Sequence, residues 1–194
     1  MNRIEAVIHA MHDHTAMIEA MLSDRKLVED IERAALMIAE CLRADGAVLL
    51  FGNGGSAADA QHFAAELVGR FALERRGLRA AALSTDTSVM TSIANDYGFE
   101  EVFARQVDAL GRPGDVSIPI STSGNSPNIL QAIDASRKKG MKVIGLTGRE
   151  GGLMRSKCDL VLVVPSQETP RIQEAHALIC HIVCGLVEKE LCAR

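Results

Sequence analysis

Tryptophan is absent from this chain, tyrosine occurs once, and aromatic residues fill only 3% of its 194 positions. Single-stranded nucleic acids are held by stacking bases on aromatic side chains, and this composition argues against such a platform. Positive charge is not in excess either. The formal net charge is −4, which removes the general electrostatic case for binding DNA or RNA. The five cysteines (Cys41, Cys158, Cys180, Cys184 and Cys192) include no C-x-x-C pair, and their odd number suits a reducing compartment. Cys180 and Cys184, one helical turn apart, read as core thiols. Residues 1–22 carry Arg3, Glu5, Asp13 and Glu19, so they read as neither signal peptide nor membrane span. The expected location is the cytoplasm, with no membrane and no nucleic acid as partner.

What is present is a well-filled globule. Apolar residues make up 47% of the chain, which supports a packed core and argues against disorder. The length suits one domain, residues 1–194, with a helical pair over 1–44 and an α/β core over 45–194. Ile4, Ile8, Met11, Thr15, Ile18 and Leu22 recur at spacings of four and three. That near-heptad stripe predicts an amphipathic helix packed on another helix, of this chain or of a second subunit. His9, His12 and His14 share this helix without an acidic or cysteine partner at ligand spacing, which disfavours a metal site there. A second helix spans 25–44. Strands follow at 47–51, 80–83, 116–120, 142–146 and 160–164, with helices at 56–71, 87–97, 99–110, 127–140 and 153–157 and a long one from Thr169. Pro119 lacks a backbone donor and predicts a bulge or distorted strand end. Strands alternating with helices mean a doubly wound parallel sheet of about five strands with helices on both faces.

Ligands in such sheets sit beyond the carboxyl ends of the strands, near helix N-termini. Two loops have that position. Gly52-Asn53-Gly54-Gly55-Ser56 follows the first strand, and its glycines allow a sharp turn and a close backbone approach. Ser56 is the expected N-cap of the next helix. Ala60, Phe63, Ala64, Leu67 and Phe71 line one stripe of that helix, facing a core. Asp59, His62, Glu66 and Arg70 fall together on another face, presenting an imidazole and a carboxylate one turn apart. Two other readings stand beside this one. His62 and Glu66 can be a solvated i,i+4 pair, and Gly-x-Gly-x-x-Ala also meets the looser dinucleotide fingerprint.

The second loop is Ser121-Thr122-Ser123-Gly124-Asn125-Ser126, leading into Pro127-Asn128. It holds four hydroxyls in six residues and feeds a helix N-terminus, with Ser126 as N-cap and Pro127 at the first helical position. Free N–H groups and partial positive charge there favour a dianion, and a phosphate is the natural guest. No Gly-Lys-Ser/Thr follows either loop, so a nucleotide P-loop is excluded.

Gly52-Asn53-Gly54-Gly55-Ser56, Asp59, His62-Phe63, Glu66, Asn95-Asp96, Gly114-Asp115-Val116, Ser121 to Ser126, Leu146-Thr147-Gly148 and Arg171-Ile172-Gln173-Glu174 together resemble the bacterial sedoheptulose-7-phosphate isomerases, or phosphoheptose isomerases, of the sugar-isomerase (SIS) fold. The resemblance spans essentially the whole chain. It implies conversion of a ketoheptose phosphate into D-glycero-D-manno-heptose 7-phosphate, at the entry to lipopolysaccharide heptose. It also implies one zinc ion per subunit and a homotetramer with composite sites. The zinc ligands carried over are His62, Glu66, Gln173 and His181. Phosphate and sugar contacts carried over are Asn53, Gly54, Gly55, Glu66, Asn95, Asp96, Ser121, Thr122, Ser123, Ser126 and Gln173.

Interconverting a 2-ketose and an aldose takes a proton from C1 and delivers one to C2 through an enediolate. A base, an acid for the carbonyl oxygen, and positive charge where the oxyanions develop are all needed. Glu66 is the expected base and His181 the expected acid or relay. A divalent metal would act as Lewis acid, and the nitrogen and oxygen ligand set suits zinc without excluding manganese or nickel. A nucleotide-dependent oxidoreductase would need neither the serine loop nor His62 and Glu66. A non-catalytic phosphosugar regulator, or a replication-initiator-binding adaptor of the same fold, is the alternative, and retention of Glu66, His62, Gln173 and His181 favours the enzyme. Gln173 and His181 lie eight positions apart, about 12 Å along one helix and about 80° apart in direction. Metal–ligand bonds are only about 2 Å long. The expectation is therefore either a non-helical first turn at Gln173 or, preferred, a site assembled from different copies of the chain.

Overall fold

The computed structural model describes residues 2–192. Two helices lead the chain, α1 (Arg3–Ser23) and α2 (Arg25–Arg43). Asn2 and Glu5 cap α1 reciprocally, side chain to backbone in both directions, which satisfies two of its free N–H groups. Asp24 alone separates the helices. Its N–H closes α1, and its carboxylate accepts from Leu27 N–H to open α2. Of the apolar stripe predicted on α1, Ile4, Ile8, Met11 and Leu22 remain exposed, while Met17 and Met21 are buried against the rest of the chain.

The core alternates as expected: β1 (Val48–Gly52), α3 (Gly55–Val68), β2 (Ala80–Ala82), α4 (Thr87–Tyr97), α5 (Ala104–Leu110), β3 (Val116–Ser121), α6 (Pro127–Lys138), β4 (Lys142–Gly148), β5 (Leu160–Val164) and α7 (Thr169–Cys192). All five strands are parallel, in the order β2-β1-β3-β4-β5. Strand β1 is buried throughout, and its residues alternate between two cores. Val48 and Leu50 face α2, α3 and α7, whereas Leu49 and Phe51 face α5 and α6. Period-two alternation thus feeds a helical layer on each side. The order reverses between β1 and β3, so the crevice beyond their carboxyl ends is the switch point where ligands bind in open α/β sheets.

Three local expectations are corrected. The helix expected over 99–110 is a 3₁₀ turn at Phe99–Glu101 followed by α5, because Val102 and Phe103 turn inward to the core between them. The segment expected as a helix over 153–157 is a 3₁₀ turn at Gly152–Ser156. Pro119 makes no bulge. Phe51↔Pro119 continues the ladder to β1, while the ladder to β4 skips Ile118 and Pro119 and resumes with Ile120↔Leu146 in the register of Ser117↔Val143. The missing donor interrupts one ladder without inserting a residue. Among the described residues no helix is long and apolar enough to cross a membrane.

One buried base sits behind the sheet's carboxyl edge. His176 of α7 is enclosed, with Nε2 3.3 Å from the Thr147 carbonyl and Nδ1 without a protein partner. Burial pushes its pKa down from 6.5 to about 4, against the pull of that carbonyl. The fold favours the neutral ring, so its stabilising contribution is complete above about 6.5 and is lost as pH falls toward about 4. His176→Leu is expected to flatten the stability profile across that window. An unchanged slope in denaturant titrations at several pH values would contradict this.

Candidate active site

At the end of β1 the backbone turns at Gly54, with φ 55° and ψ −120°. An L side chain is strained there. Gly54 itself is the N-cap of α3, so Ser56 lies inside the helix and not at its cap, correcting the expectation. No side chain caps α3. The start of α6 is left open in the same way. Ser126 is its N-cap but makes no side-chain cap bond. Its hydroxyl instead lies 3.2 Å from Ser121 Oγ, and Ser123 Oγ is 3.5 Å from Ser121 Oγ. Ser123 Oγ also accepts from Asn125 N–H. The loop turns at Gly124, φ 67°, where a Cβ would meet the Gly151 carbonyl at 2.1 Å. Three hydroxyls therefore converge beside one uncapped helix N-terminus, and Thr122 accompanies them, half-buried, with its carbonyl accepting from Gly148 N–H. Such an end attracts an anion.

The two loops are tied together by a pair that sequence reasoning did not assign. Asn53 Nδ2 donates to Asn128 Oδ1 at 2.9 Å, and Asn128 Nδ2 donates to Asn53 Oδ1 at 2.8 Å. Asn128 is buried. An amide in each loop-to-helix junction was the only signal available, and nothing in sequence links positions 75 residues apart.

Helices α3 and α7 run side by side in the same direction. Early in the pair, the Gln173 amide lies across Gly55, where a Cβ would meet its Nε2 at 2.2 Å. Two turns on, His181 Nε2 is 2.8 Å from His62 Nε2, and Glu66 Oε1 is 3.6 Å from the same atom. The two rings stand edge to face with centroids 5.1 Å apart, and Phe71 covers His181 at 5.6 Å. Eight residues of α7 thus match seven of α3. Gln173 is helical, so the non-helical alternative fails. Parallel register brings Glu66 and His181 into one cluster of one chain with His62. Gln173 lies beside the glycine-rich loop, across Gly55.

One donor atom from each of His62, Glu66 and His181 lies within 4.8 Å of the others, and no other such group occurs among the described residues. Tetrahedral nitrogen and oxygen ligands at about 2 Å from an ion stand about 3.3 Å apart. The spacing and donor set therefore fit a divalent cation. Asp59, one turn earlier on α3, was read onto this face without a role. One of its carboxylate oxygens is buried without a partner, and burial raises its pKa from 3.8 to about 6 against the pull of His62. Asn95 and Asp96 are exposed near the end of α4, where Asn95 Nδ2 donates to Asp96 Oδ1.

The SIS-domain family profile matches residues 11–148. The chain is 57% identical over 175 residues to the phosphoheptose isomerase of Geobacter sulfurreducens, covering 90% of this chain and 92% of that one. It is 52% identical over 185 residues to the phosphoheptose isomerase of Burkholderia pseudomallei strain 1710b, covering 95% and 94%. The structure of a phosphoheptose isomerase from Neisseria gonorrhoeae superposes with a TM-score of 0.92 at 45% identity, over 97% of this chain and all of that one.

Proposed function

The chain belongs to the phosphoheptose isomerase family, and from that premise we propose that it interconverts D-sedoheptulose 7-phosphate and D-glycero-D-manno-heptose 7-phosphate. The product is a precursor of lipopolysaccharide heptose. The observation that carries this reading is the convergence of His62, Glu66 and His181 in one cluster on α3 and α7.

The sugar phosphate is held by Ser121, Thr122, Ser123 and Ser126 at the open end of α6, with Asn53, Gly54 and Gly55 along the sugar. The Asn53–Asn128 amide pair fixes the spacing of the two loops. Glu66 takes the C1 proton and returns one to C2, while His181 donates a proton to the C2 carbonyl oxygen and recovers one from the C1 hydroxyl as C1 becomes the aldehyde. His62, Glu66 and His181 would hold a divalent cation, zinc by donor type. When bound, it supplies Lewis-acid polarisation of the carbonyl. Glu66 Oε1 is turned to His62, which leaves Oε2 for the proton. Gln173, lying across Gly55, is suited to a sugar hydroxyl and is the fourth residue offered to the metal.

The reading includes a cytoplasmic homotetramer. Exposed Asn95 and Asp96 are the residues a second copy would bring to a shared site. A phosphosugar regulator of the same fold has no need of the cluster. Incubation with sedoheptulose 7-phosphate, followed by NMR, is expected to show the aldose phosphate growing to equilibrium. Folded, metal-loaded protein that produces none would overturn the proposal.

A further inference from the structure

Behind the cluster lies a buried ion pair that the reaction does not use. Glu188 of α7 is 1% exposed. Its Oε1 accepts from Phe71 N–H at 2.8 Å and from Arg75 Nε at 2.9 Å. Its Oε2 accepts from Ala72 N–H at 2.8 Å and Leu73 N–H at 2.9 Å. The Arg75 guanidinium in turn donates to the carbonyls of Glu66, Leu67, Gly69 and Arg76. One carboxylate thus gathers the three N–H groups of the strap after α3, and one guanidinium bonds two carbonyls of the last turn of α3, Glu66 and Leu67, which have no helical partner. Burial alone would raise the Glu188 pKa; the three N–H groups and Arg75 outweigh it and hold the carboxyl below its ordinary value.

Both ends of this clamp are linked to residues of the cluster. Glu188 follows His181 by seven residues and therefore shares its face of α7. The strap it holds carries Phe71, whose ring lies on His181 and above Gly185, where a Cβ would meet Phe71 Cε1 at 3.4 Å. Arg75 bonds the backbone of Glu66 itself at 2.8 Å.

We propose that Glu188 and Arg75 are positioning residues for the His62–Glu66–His181 cluster, fixing His181 through Phe71 and Glu66 through its carbonyl. This rests on the reading of that cluster as the reacting, cation-holding centre. Groups that orient metal ligands from behind typically change metal affinity or activity by about 10–100-fold when replaced. Phosphate binding, built from the β3–α6 loop, is outside the clamp.

The test compares Glu188→Gln and Phe71→Leu with Val107→Ala, a core substitution on the opposite side of the sheet that lowers stability without touching the clamp. Zinc affinity of metal-stripped protein is measured by competition titration, and kcat and KM on the loaded enzyme. Glu188→Gln is expected to weaken zinc binding and lower kcat about 10–100-fold relative to Val107→Ala, with KM held within about threefold. Phe71→Leu should show the same pattern to a smaller degree, and it decides alone if Glu188→Gln does not fold. Zinc affinity and kcat both within about threefold of the control would overturn the proposal. If the unaltered chain binds no zinc, the metal reading of the cluster has failed, and the kcat ratios then decide the positioning role by themselves.

Discussion

Glu66→Gln is expected to lower turnover by about 10²–10⁴-fold, the range positioned acid–base groups contribute, while sugar phosphate still binds. Glutamine preserves the size of the side chain and one acceptor toward His62. It cannot take a proton from C1. The position is well suited to isolating that one change, because Glu66 sits on a regular stretch of α3 and its carbonyl is held separately by Arg75. Its neighbours His62 and His181 make their 2.8 Å contact directly, without passing through Glu66. Metal content belongs on the same sample, because loss of a cation would depress turnover by a different route. Substantial turnover at full metal loading would remove Glu66 as the base.

Ser123→Ala combined with Ser126→Ala is expected to raise KM strongly with a smaller effect on kcat. Hydrogen bonds to a charged group contribute about 1.5–3 kcal/mol each before compensation. Two such losses correspond to a KM increase of roughly two to four orders of magnitude, at 1.4 kcal/mol per tenfold. Neither hydroxyl is needed by the loop as a helix cap, since Ser126 makes no such bond. The turn is made by Gly124, and the Asn125 N–H that loses Ser123 Oγ is exposed to water, so a circular-dichroism melt matching the parent checks that the loop change leaves the fold intact. The double variant thus separates ligand binding from folding. Unchanged affinity for the sugar phosphate would remove this loop from the account.

Much of this was legible in the sequence because it is written locally. The β1 run from Val48 to Phe51, the apolar stripe of α3 and the Ser126-Pro127 helix start each carry their own period or punctuation, and each element formed within a few residues of its expected bounds. The misses come from choices that neighbours make. A serine before a helix is a good cap, yet the left-handed turn at Gly54 ended the loop two residues earlier. Pro119 has no donor, but a parallel strand between two others can lose one ladder bond and keep its register through the rest. Gln173 and His181 are about two turns apart on one helix, and what each one meets is decided by the partner helix, which the sequence does not place. With α3 parallel to α7, His181 meets His62 while Gln173 meets Gly55. The Asn53–Asn128 pair and the Glu188 clamp join residues 75 and more than 100 positions apart, and no periodicity announces them.

The central claim is that one chain supplies the whole reacting cluster, and subunit mixing tests it most directly. Glu66→Gln and His181→Ala chains, each inactive and differently tagged, are dissociated together, reassociated, and purified as mixed oligomers. Because His62, Glu66 and His181 meet within a single chain, no mixed oligomer regains a complete cluster. Activity should stay at the sum of the two variants alone. Recovery of a substantial fraction of wild-type activity would show that Glu66 and His181 act from different chains, and would contradict the account.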